Sequence, residues 1–273
     1  MRLRPRWNLS SRAASLRGAD AIVLSIPKSG RTWLRAFVCA YFCKRFGFEM
    51  TLEPERYRHP TIPHVIYSHD TFEQRTKAER LWDHVRGKFL VPAHELNRAR
   101  ILLLARDPRD AFVSLFVQTT RRVHENPEEL KRKTASELLR DPAFGIRSIV
   151  AVMNGWLAEL GTRPDFTLFR YETLRENPAD GFRSVLAALG DSTPDEDAFR
   201  HALAFSDFGN MKKLEQQGAF QSKILRAGDV RDPESFKVRK GKVGGFREYL
   251  SLEDQQYAAA AMRELDPHFG YSA

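Results

Sequence analysis

The sequence has few cysteines and no long apolar segment. Two cysteines stand among 273 residues, which excludes a disulfide scaffold and leads us to expect a reducing compartment, the cytoplasm. No apolar run reaches the roughly 18 residues that a membrane-spanning helix needs, so we expect no transmembrane segment. Hydrophobic residues make up 42% of the chain, which provides for a buried core and excludes an intrinsically disordered protein.

An acidic excess is also missing, since 44 lysines and arginines against 35 aspartates and glutamates give a formal net charge of +9. Residues 1–20 carry a net +4 and residues 221–247 a net +5, so the rest of the chain sums to zero. Nucleic-acid-binding proteins usually spread basic residues over a face. We therefore expect a small anionic ligand and no nucleic acid. We also expect residues 1–18 to form a basic, flexible arm and residues 19–273 to form a single domain.

Short apolar segments alternate with segments of helical periodicity. The apolar segments predict strands at residues 21–26, 64–68, 101–105 and 166–169. The periodic segments include predicted helices at residues 32–46, 179–189 and 252–265. This alternation predicts an α/β fold with a mainly parallel sheet. Ligands of such sheets bind at the carboxyl ends of the strands, so the residues that follow each strand are the candidate site.

The segment after the first predicted strand, PKSGRTW at residues 27–33, has the features of an anion-binding loop. It combines a glycine-containing turn with a helix N-terminus, whose N–H groups and dipole attract an anion. Lys28 adds a positive charge, Thr32 a hydroxyl and Trp33 a flat ring. The lysine precedes Gly30, unlike in the GxxxxGK[ST] loop of nucleotide triphosphatases. A plain turn with an exposed lysine is the simpler alternative for this segment alone.

This loop resembles the 5′-phosphosulfate loop of the sulfotransferases that use 3′-phosphoadenosine 5′-phosphosulfate (PAPS), which typically reads PKSGTTW. The resemblance implies a three-layer P-loop-type fold, with a central, mainly parallel sheet flanked by helices. It also implies transfer of a sulfuryl group from PAPS, leaving 3′,5′-phosphoadenosine (PAP), without a metal. The residues that it assigns to donor binding are Lys28, Ser29, Gly30, Arg31, Thr32 and Trp33, of which Arg31 departs from the family's usual threonine.

A second motif, RDPRDAFVS at residues 106–114, follows the third predicted strand. An arginine at this position can donate two hydrogen bonds to a phosphate. Asp107 and Asp110 are most simply helix caps and dipole partners. The motif resembles the family's 3′-phosphate motif, and the resemblance assigns Arg106 and Ser114 to the 3′-phosphate of the donor.

Three downstream segments resemble further family elements in the same order along the chain. They are FRYETL at residues 169–174, SDFGNM at 206–211 and RKGKVGGF at 239–246. In the family the first two lie beside the adenine and the third closes over the 3′-phosphate. The residues that these matches add to donor binding are Tyr171, Ser206, Phe208, Arg239, Lys240 and Gly241.

His69 is the candidate catalytic base, because it follows the second predicted strand on the ligand side of the sheet. The family has KTH here, and Tyr67 stands in place of its lysine. His69 and Asp70 are adjacent in an extended segment, so we expect their side chains to point to opposite faces and to form no dyad. The resemblance makes His69 and Lys28 catalytic, with Lys28 stabilising the charge on the leaving phosphate oxygen.

Two other functions stay open as alternatives. The strand that leads to Asp107 resembles the metal-holding strand of a magnesium-dependent kinase, and the basic charge is compatible with a nucleic-acid-binding module.

We assign no metal, because Cys39 and Cys43, one helical turn apart, predict a buried apolar stripe.

The acceptor and the oligomeric state have no clear signature. A small molecule, a carbohydrate or a lipid all stay open, and we expect acceptor-lining loops at residues 47–63, 70–98 and 118–147. Residues 247–256 loosely match a dimerisation stretch of the family, which keeps a homodimer open.

Overall fold

The fold is that of a computed structural model of the chain. The described residues are 18–78, 80–85, 87–122, 128–220, 223–225, 236–238 and 241–273. Residues 1–17 of the expected basic arm lie outside them, and so do the predicted site residues Arg239 and Lys240.

A four-stranded parallel sheet forms the centre of the molecule. Its strands are β1 (Ala21–Ser25), β2 (Val65–Ser68), β3 (Arg100–Ala105) and β4 (Phe166–Arg170). They lie in the order β2-β1-β3-β4, and every neighbouring pair is parallel. The predicted parallel sheet is therefore confirmed, with each strand end within one residue of its predicted place. All four carboxyl ends share one edge of the sheet.

Helices cover both faces of this sheet. In chain order they are α1 (Arg31–Phe46), α2 (Phe72–Lys77), α3 (Leu81–Val85), α4 (Ala93–Arg98), α5 (Pro108–Val117), α6 (Glu128–Arg132), α7 (Ala135–Leu139), α8 (Ile146–Leu160), α9 (Tyr171–Glu176), α10 (Pro178–Ala188), α11 (Glu196–Phe205), α12 (Phe208–Gln216) and α13 (Leu252–Met262). A π-helical turn lies at Gln118–Arg122, and 3₁₀ turns lie at Pro54–Arg56, Lys223–Leu225, Gly245–Glu248 and Pro267–Phe269.

The segments expected to be acceptor-lining loops are partly helical instead. The stretch between β2 and β3 folds into α2, α3 and α4, each of five or six residues, and the stretch after α5 contains α6 and α7. Helices this short expose too few apolar positions to show a 3.6-residue period in the sequence. Within the described ranges, no helix has both the length and the apolar character to cross a bilayer.

Alternate residues of the central strands supply two separate cores. On one face of the sheet, Ile22 and Leu24 of β1 pack in the core to which α5, α8 and α13 contribute. On the opposite face, Val23 packs in the core to which α1, α10 and α11 contribute. Because both faces are covered, the central strands β1 and β3 are apolar over most of their length instead of alternating with polar residues. This explains why they stand out as continuous apolar runs.

The middle of helix α1 is buried, and the helix carries the anion-binding loop at its N-terminal end. Phe37 is fully buried, and its ring stacks on Phe182 of α10 with centroids 4.0 Å apart. Cys39 and Cys43 are buried free thiols, which confirms the predicted apolar stripe. Burial raises the pKa of the Cys39 thiol to about 12, so this sulfur is a packing group and not a nucleophile.

Replacement of Phe37 by alanine tests whether this packing holds α1 in place. We expect Phe37→Ala to lower the free energy of unfolding by about 3–5 kcal/mol, because a stacked, fully buried ring leaves a cavity. Urea denaturation measures the change, and Lys44→Ala on the exposed side of the same helix is the control. Similar small losses in both variants would contradict the proposed role of the stack.

Candidate active site

The loop between β1 and α1 is held in a strained conformation. Lys28 has a φ of 74° and Gly30 a φ of 93°, both in the left-handed region. A non-glycine residue there costs about 1–3 kcal/mol and is typical of functional sites. Gly30 is the N-cap of α1 and offers no side chain to its first turn. The N–H groups of that turn and the helix dipole therefore present a site for an anion.

Arg106, directly after β3, joins three parts of the chain. One guanidinium nitrogen, Nη1, donates to the Lys28 carbonyl at 2.9 Å, and Nη2 donates to the Lys242 carbonyl at 3.2 Å. The guanidinium also lies 4.6 Å from the centre of the Tyr171 ring. The predicted phosphate-binding arginine thus lies against the predicted anion-binding loop, although 78 positions separate the two partners in sequence.

Two aromatic side chains close the space behind the loop. Tyr171 packs so tightly on Gly30 that a Cβ at position 30 would come within 2.6 Å of the Tyr171 Cδ2. The Trp33 ring meets the Tyr171 ring edge-on at 5.8 Å. Burial raises the pKa of Tyr171 against the opposing effect of the Arg106 charge. A neutral phenol ring therefore forms the wall beside the loop.

The predicted adenine-side residues meet on the other side of Trp33. The indole Nε1 donates to the Ser206 carbonyl at 2.8 Å, whereas the Ser206 hydroxyl donates to Ala202 within its own helix. A Cβ at Gly241 would come within 2.7 Å of the Phe208 ring. Ser206 thus contributes its backbone and not its side chain to this contact, because its hydroxyl is bonded to the end of α11.

Asp110 has a role beyond the one that its place near the start of α5 predicts. It was expected to act as a dipole partner near the start of α5, but its carboxylate accepts the N–H groups of Gly244 at 2.7 Å and Phe246 at 2.9 Å. Burial raises the pKa of Asp110, while the Arg106 charge and these two N–H donors lower it. The carboxylate fastens the C-terminal segment that follows Gly241. Asp107 is the cap that was expected, accepting from the Arg109 N–H.

Arg175 is a further candidate for ligand binding, although it belongs to none of the motifs above. Its guanidinium lies 5.8 Å from the Trp33 ring and 5.5 Å from the Phe208 ring. It therefore lies between the two aromatic residues of the adenine side. Its position on α9, one turn after Tyr171, was the available signal.

His69 lies immediately after β2 and is held by the end of β1. Its Nδ1 lies 2.6 Å from the Ser25 carbonyl oxygen and 3.4 Å from the Ser25 hydroxyl. A carbonyl oxygen only accepts, so Nδ1 carries the proton and the neutral ring has its lone pair on Nε2. The neighbouring Asp70 carboxylate accepts the N–H groups of Thr71 and Val91. It shapes the turn into α2.

Polar atoms in the loop region fit a phosphorylated ligand. Within the described residues, the buried Ser29 Oγ and Arg106 Nε have no hydrogen-bond partner. Unsatisfied buried donors of this kind are costly, and anionic oxygens would satisfy them. The rings that crowd Gly30 and Gly241 form walls on which a flat base can pack. Together they fit a nucleotide that carries phosphate oxygens.

The remaining described residues of the predicted site lie on α1 and α5, the two helices that follow β1 and β3. Arg31 and Thr32 are the first two residues of α1 and are partly exposed. Ser114 is a partly buried residue of α5, two turns after Arg106. Among the described residues, no group of three or more His, Cys, Asp or Glu side chains could hold a metal ion.

Substitution of Gly30 tests the close approach of Tyr171. We expect Gly30→Ala to destabilise the fold more than Gly47→Ala, measured as the change in thermal midpoint. Both glycines have positive φ, so an alanine at either position strains the backbone. A Cβ at position 30 would also meet the Tyr171 ring, whereas a Cβ at position 47 would meet no atom within 4 Å. Equal losses would show that Tyr171 does not pack against Gly30.

The chain is similar to known proteins along almost its whole length. The family model described as "Sulfotransferase domain" matches residues 19–267. Cytosolic sulfotransferase 16 of Arabidopsis thaliana is 24% identical over 249 residues, covering 87% of this chain and 73% of the relative. Sulfotransferase 2B1 of Rattus norvegicus is 22% identical over 258 residues, covering 94% and 74%.

Solved structures share the fold at low sequence identity. Mouse sulfotransferase SULT7A1, complexed with PAP, has a TM-score of 0.59 at 17% identity and covers 92% of this chain and 88% of its own. Retinol dehydratase, in a complex with retinol and PAP, has a TM-score of 0.62 at 17% identity and covers 90% and 80%. With the family match over residues 19–267, the predicted fold and enzyme class are confirmed, and this chain belongs to the sulfotransferase family.

Proposed function

We propose that the chain transfers a sulfuryl group from PAPS to a hydroxyl or amine of an acceptor, with His69 as the general base. The observation that carries this proposal is the hydrogen bond from His69 Nδ1 to the Ser25 carbonyl. Ser25 is the last residue of β1, and the anion-binding loop begins two residues later. The base is thereby fixed to the strand that leads into the loop.

The donor side is supported by the cluster around Arg106. PAP is bound in solved structures of the same fold, and here Arg106, Tyr171 and the Lys28 loop lie together. When bound, PAPS would supply an activated sulfuryl group joined to a phosphate that leaves readily. Ser29 Oγ and the N–H groups at the start of α1 would hold the phosphate, and Lys28 would stabilise charge on the bridging oxygen.

The acceptor side is supported by the orientation of the His69 ring. With its proton on Nδ1, the ring presents Nε2 to take the proton from an attacking hydroxyl. The Ser25 carbonyl keeps the ring in this orientation throughout, since Nδ1 remains a donor when Nε2 is protonated. Fixed positioning of base and loop then contributes much of the rate enhancement.

The alternative of a magnesium-dependent kinase is disfavoured by the surroundings of Asp107. This carboxylate caps α5 and also pairs with Arg109, whose Nε and Nη2 lie 3.0 and 2.7 Å from its two oxygens. A carboxylate neutralised in this way is a poor ligand for Mg²⁺.

We also propose that residues 19–273 form one domain that acts in the cytoplasm on a small-molecule, carbohydrate or lipid acceptor. A homodimer through residues 247–256 and the expected lack of nucleic-acid binding stay predictions.

Calorimetry of PAP binding tests the donor assignment. We expect PAP to bind in the presence of EDTA and to bind more tightly than MgATP. Arg106→Gln should weaken PAP binding by about 10–100-fold, because charge-assisted hydrogen bonds are lost. Arg263→Gln, which removes an exposed arginine, is the control. A preference for MgATP would support the kinase instead.

Replacement of His69 tests the base. We expect His69→Ala to lower kcat by about 10²–10⁴-fold for the acceptor that a mass-shift screen with labelled PAPS identifies. The affinity for PAP should stay unchanged, because PAP lacks the sulfuryl group and the base acts on the proton of the acceptor. His201→Ala, an exposed histidine on α11, is the control. Transfer by His69→Ala at a near wild-type rate, with the fold intact, would exclude His69 as the base.

A further inference from the structure

A positively charged face of α1 lies against β2. Arg31 and Arg35 are one helical turn apart, so they lie on the same side of α1. The Arg35 guanidinium lies over the Tyr67 ring, 4.2 Å from its centre. Arg31 is also close enough for its charge to lower the pKa of Tyr67. Two cations therefore surround the residue that replaces the family's lysine.

Two hydrogen-bond donors in this cluster are buried and unsatisfied. Within the described ranges, neither Arg35 Nε nor Tyr67 Oη has a hydrogen-bond partner, and no ion pair joins Arg35 to an acidic residue. Burial raises the pKa of Tyr67 well above its ordinary value, so the phenol stays protonated and can donate. The buried Nε of a half-buried arginine and the buried hydroxyl of Tyr67 can together donate to an oxygen that carries negative charge.

The order of the strands places this cluster on the acceptor side. The predicted donor residues Arg106 and Tyr171 follow β3 and β4, whereas Tyr67 is on β2, across β1 from both. Tyr67 precedes His69 by two residues, the spacing at which side chains of an extended segment share a face. An anion held by Tyr67 therefore lies on the side of the candidate base, and the cluster borders the predicted donor loop at Arg31.

We propose that the acceptor is itself an anion, and that Arg35 and Tyr67 bind its carboxylate, sulfate or phosphate oxygens while His69 faces its hydroxyl. Arg31 adds positive charge beside them. This inference rests on the proposed function, since it concerns the acceptor of that reaction. The family's lysine would place one cation at the end of β2. In this chain the cation comes from α1 and stacks on a neutral ring.

The test compares size-matched anionic and neutral probes on the full chain saturated with PAP. Calorimetry measures binding of benzoate, phenyl phosphate and benzamide. We expect at least one anion to bind at least tenfold more tightly than benzamide, and the two anions report whether carboxylate or phosphate fits better. Saturation with PAP fills the donor site, so its cations do not contribute. Equal affinity for all three probes, or binding of none, overturns the proposal.

Three variants assign the binding to this cluster. Arg35→Gln should weaken binding of the preferred anion by about 10–100-fold, and Tyr67→Phe by about 2–10-fold. Lys44→Gln removes the same charge from an exposed position of α1 and should leave the affinity unchanged. Tyr67→Phe removes an unsatisfied hydroxyl and should fold at least as stably as the wild type, so it remains informative if Arg35→Gln is unstable.

The outcomes separate this proposal from the proposed function. If PAP binds but Arg35→Gln and Tyr67→Phe bind the anion as tightly as wild type, the anionic acceptor site is wrong and the sulfotransferase assignment stands. If PAP does not bind, the proposed function itself fails. Once an acceptor is found, Tyr67→Phe should raise its KM with little change in kcat, which a merely structural role would not produce.

Discussion

The contacts of the Arg106 guanidinium hold together the loop after β1, the segment near Lys242 and Tyr171. Two of its nitrogens donate to backbone carbonyls, one in the loop after β1 and one in the segment near Lys242, and its plane lies on Tyr171. A guanidinium has five N–H donors in a fixed plane, so bonds on one side orient the donors on the other. Because the partners are carbonyls and not carboxylates, the positive charge is positioned without being neutralised. It stays available to an anionic ligand.

The central strand β1 connects the Lys28 loop with His69, the proposed base. Its carboxyl end leads into the loop that carries Lys28, and its last carbonyl holds the His69 ring. The Lys28 loop and His69, the proposed base, are therefore positioned by one strand whose neighbours, β2 and β3, both pair with it. Any shift of β1 would move both together, which preserves their separation.

Much of this arrangement could be predicted from sequence, because local patterns determine it. Apolar runs marked the strands, and the loop of residues 27–33 showed its glycine and its helix start within seven positions. The hydrogen bonds that Gly244 and Phe246 donate to Asp110 could not be predicted, since they span more than 130 positions and depend on the path of the C-terminal segment. The stacking of Arg35 on Tyr67 depends on how α1 lies across β2. The short helices between β2 and β3 lack a readable period because tertiary contacts, and not local preference, stabilise them.

The place of β2 at the edge of the sheet has a consequence for how this protein can change. An edge strand pairs on one side only, so the ladder of β1, β3 and β4 does not depend on what lies beyond β2. With the acceptor bound beside β2, as we propose, substitutions in β2 and in α2–α4 would alter its binding while the contacts of Arg106 with the Lys28 loop and Tyr171 keep their geometry. Evolution or protein engineering could then change the acceptor and retain the donor.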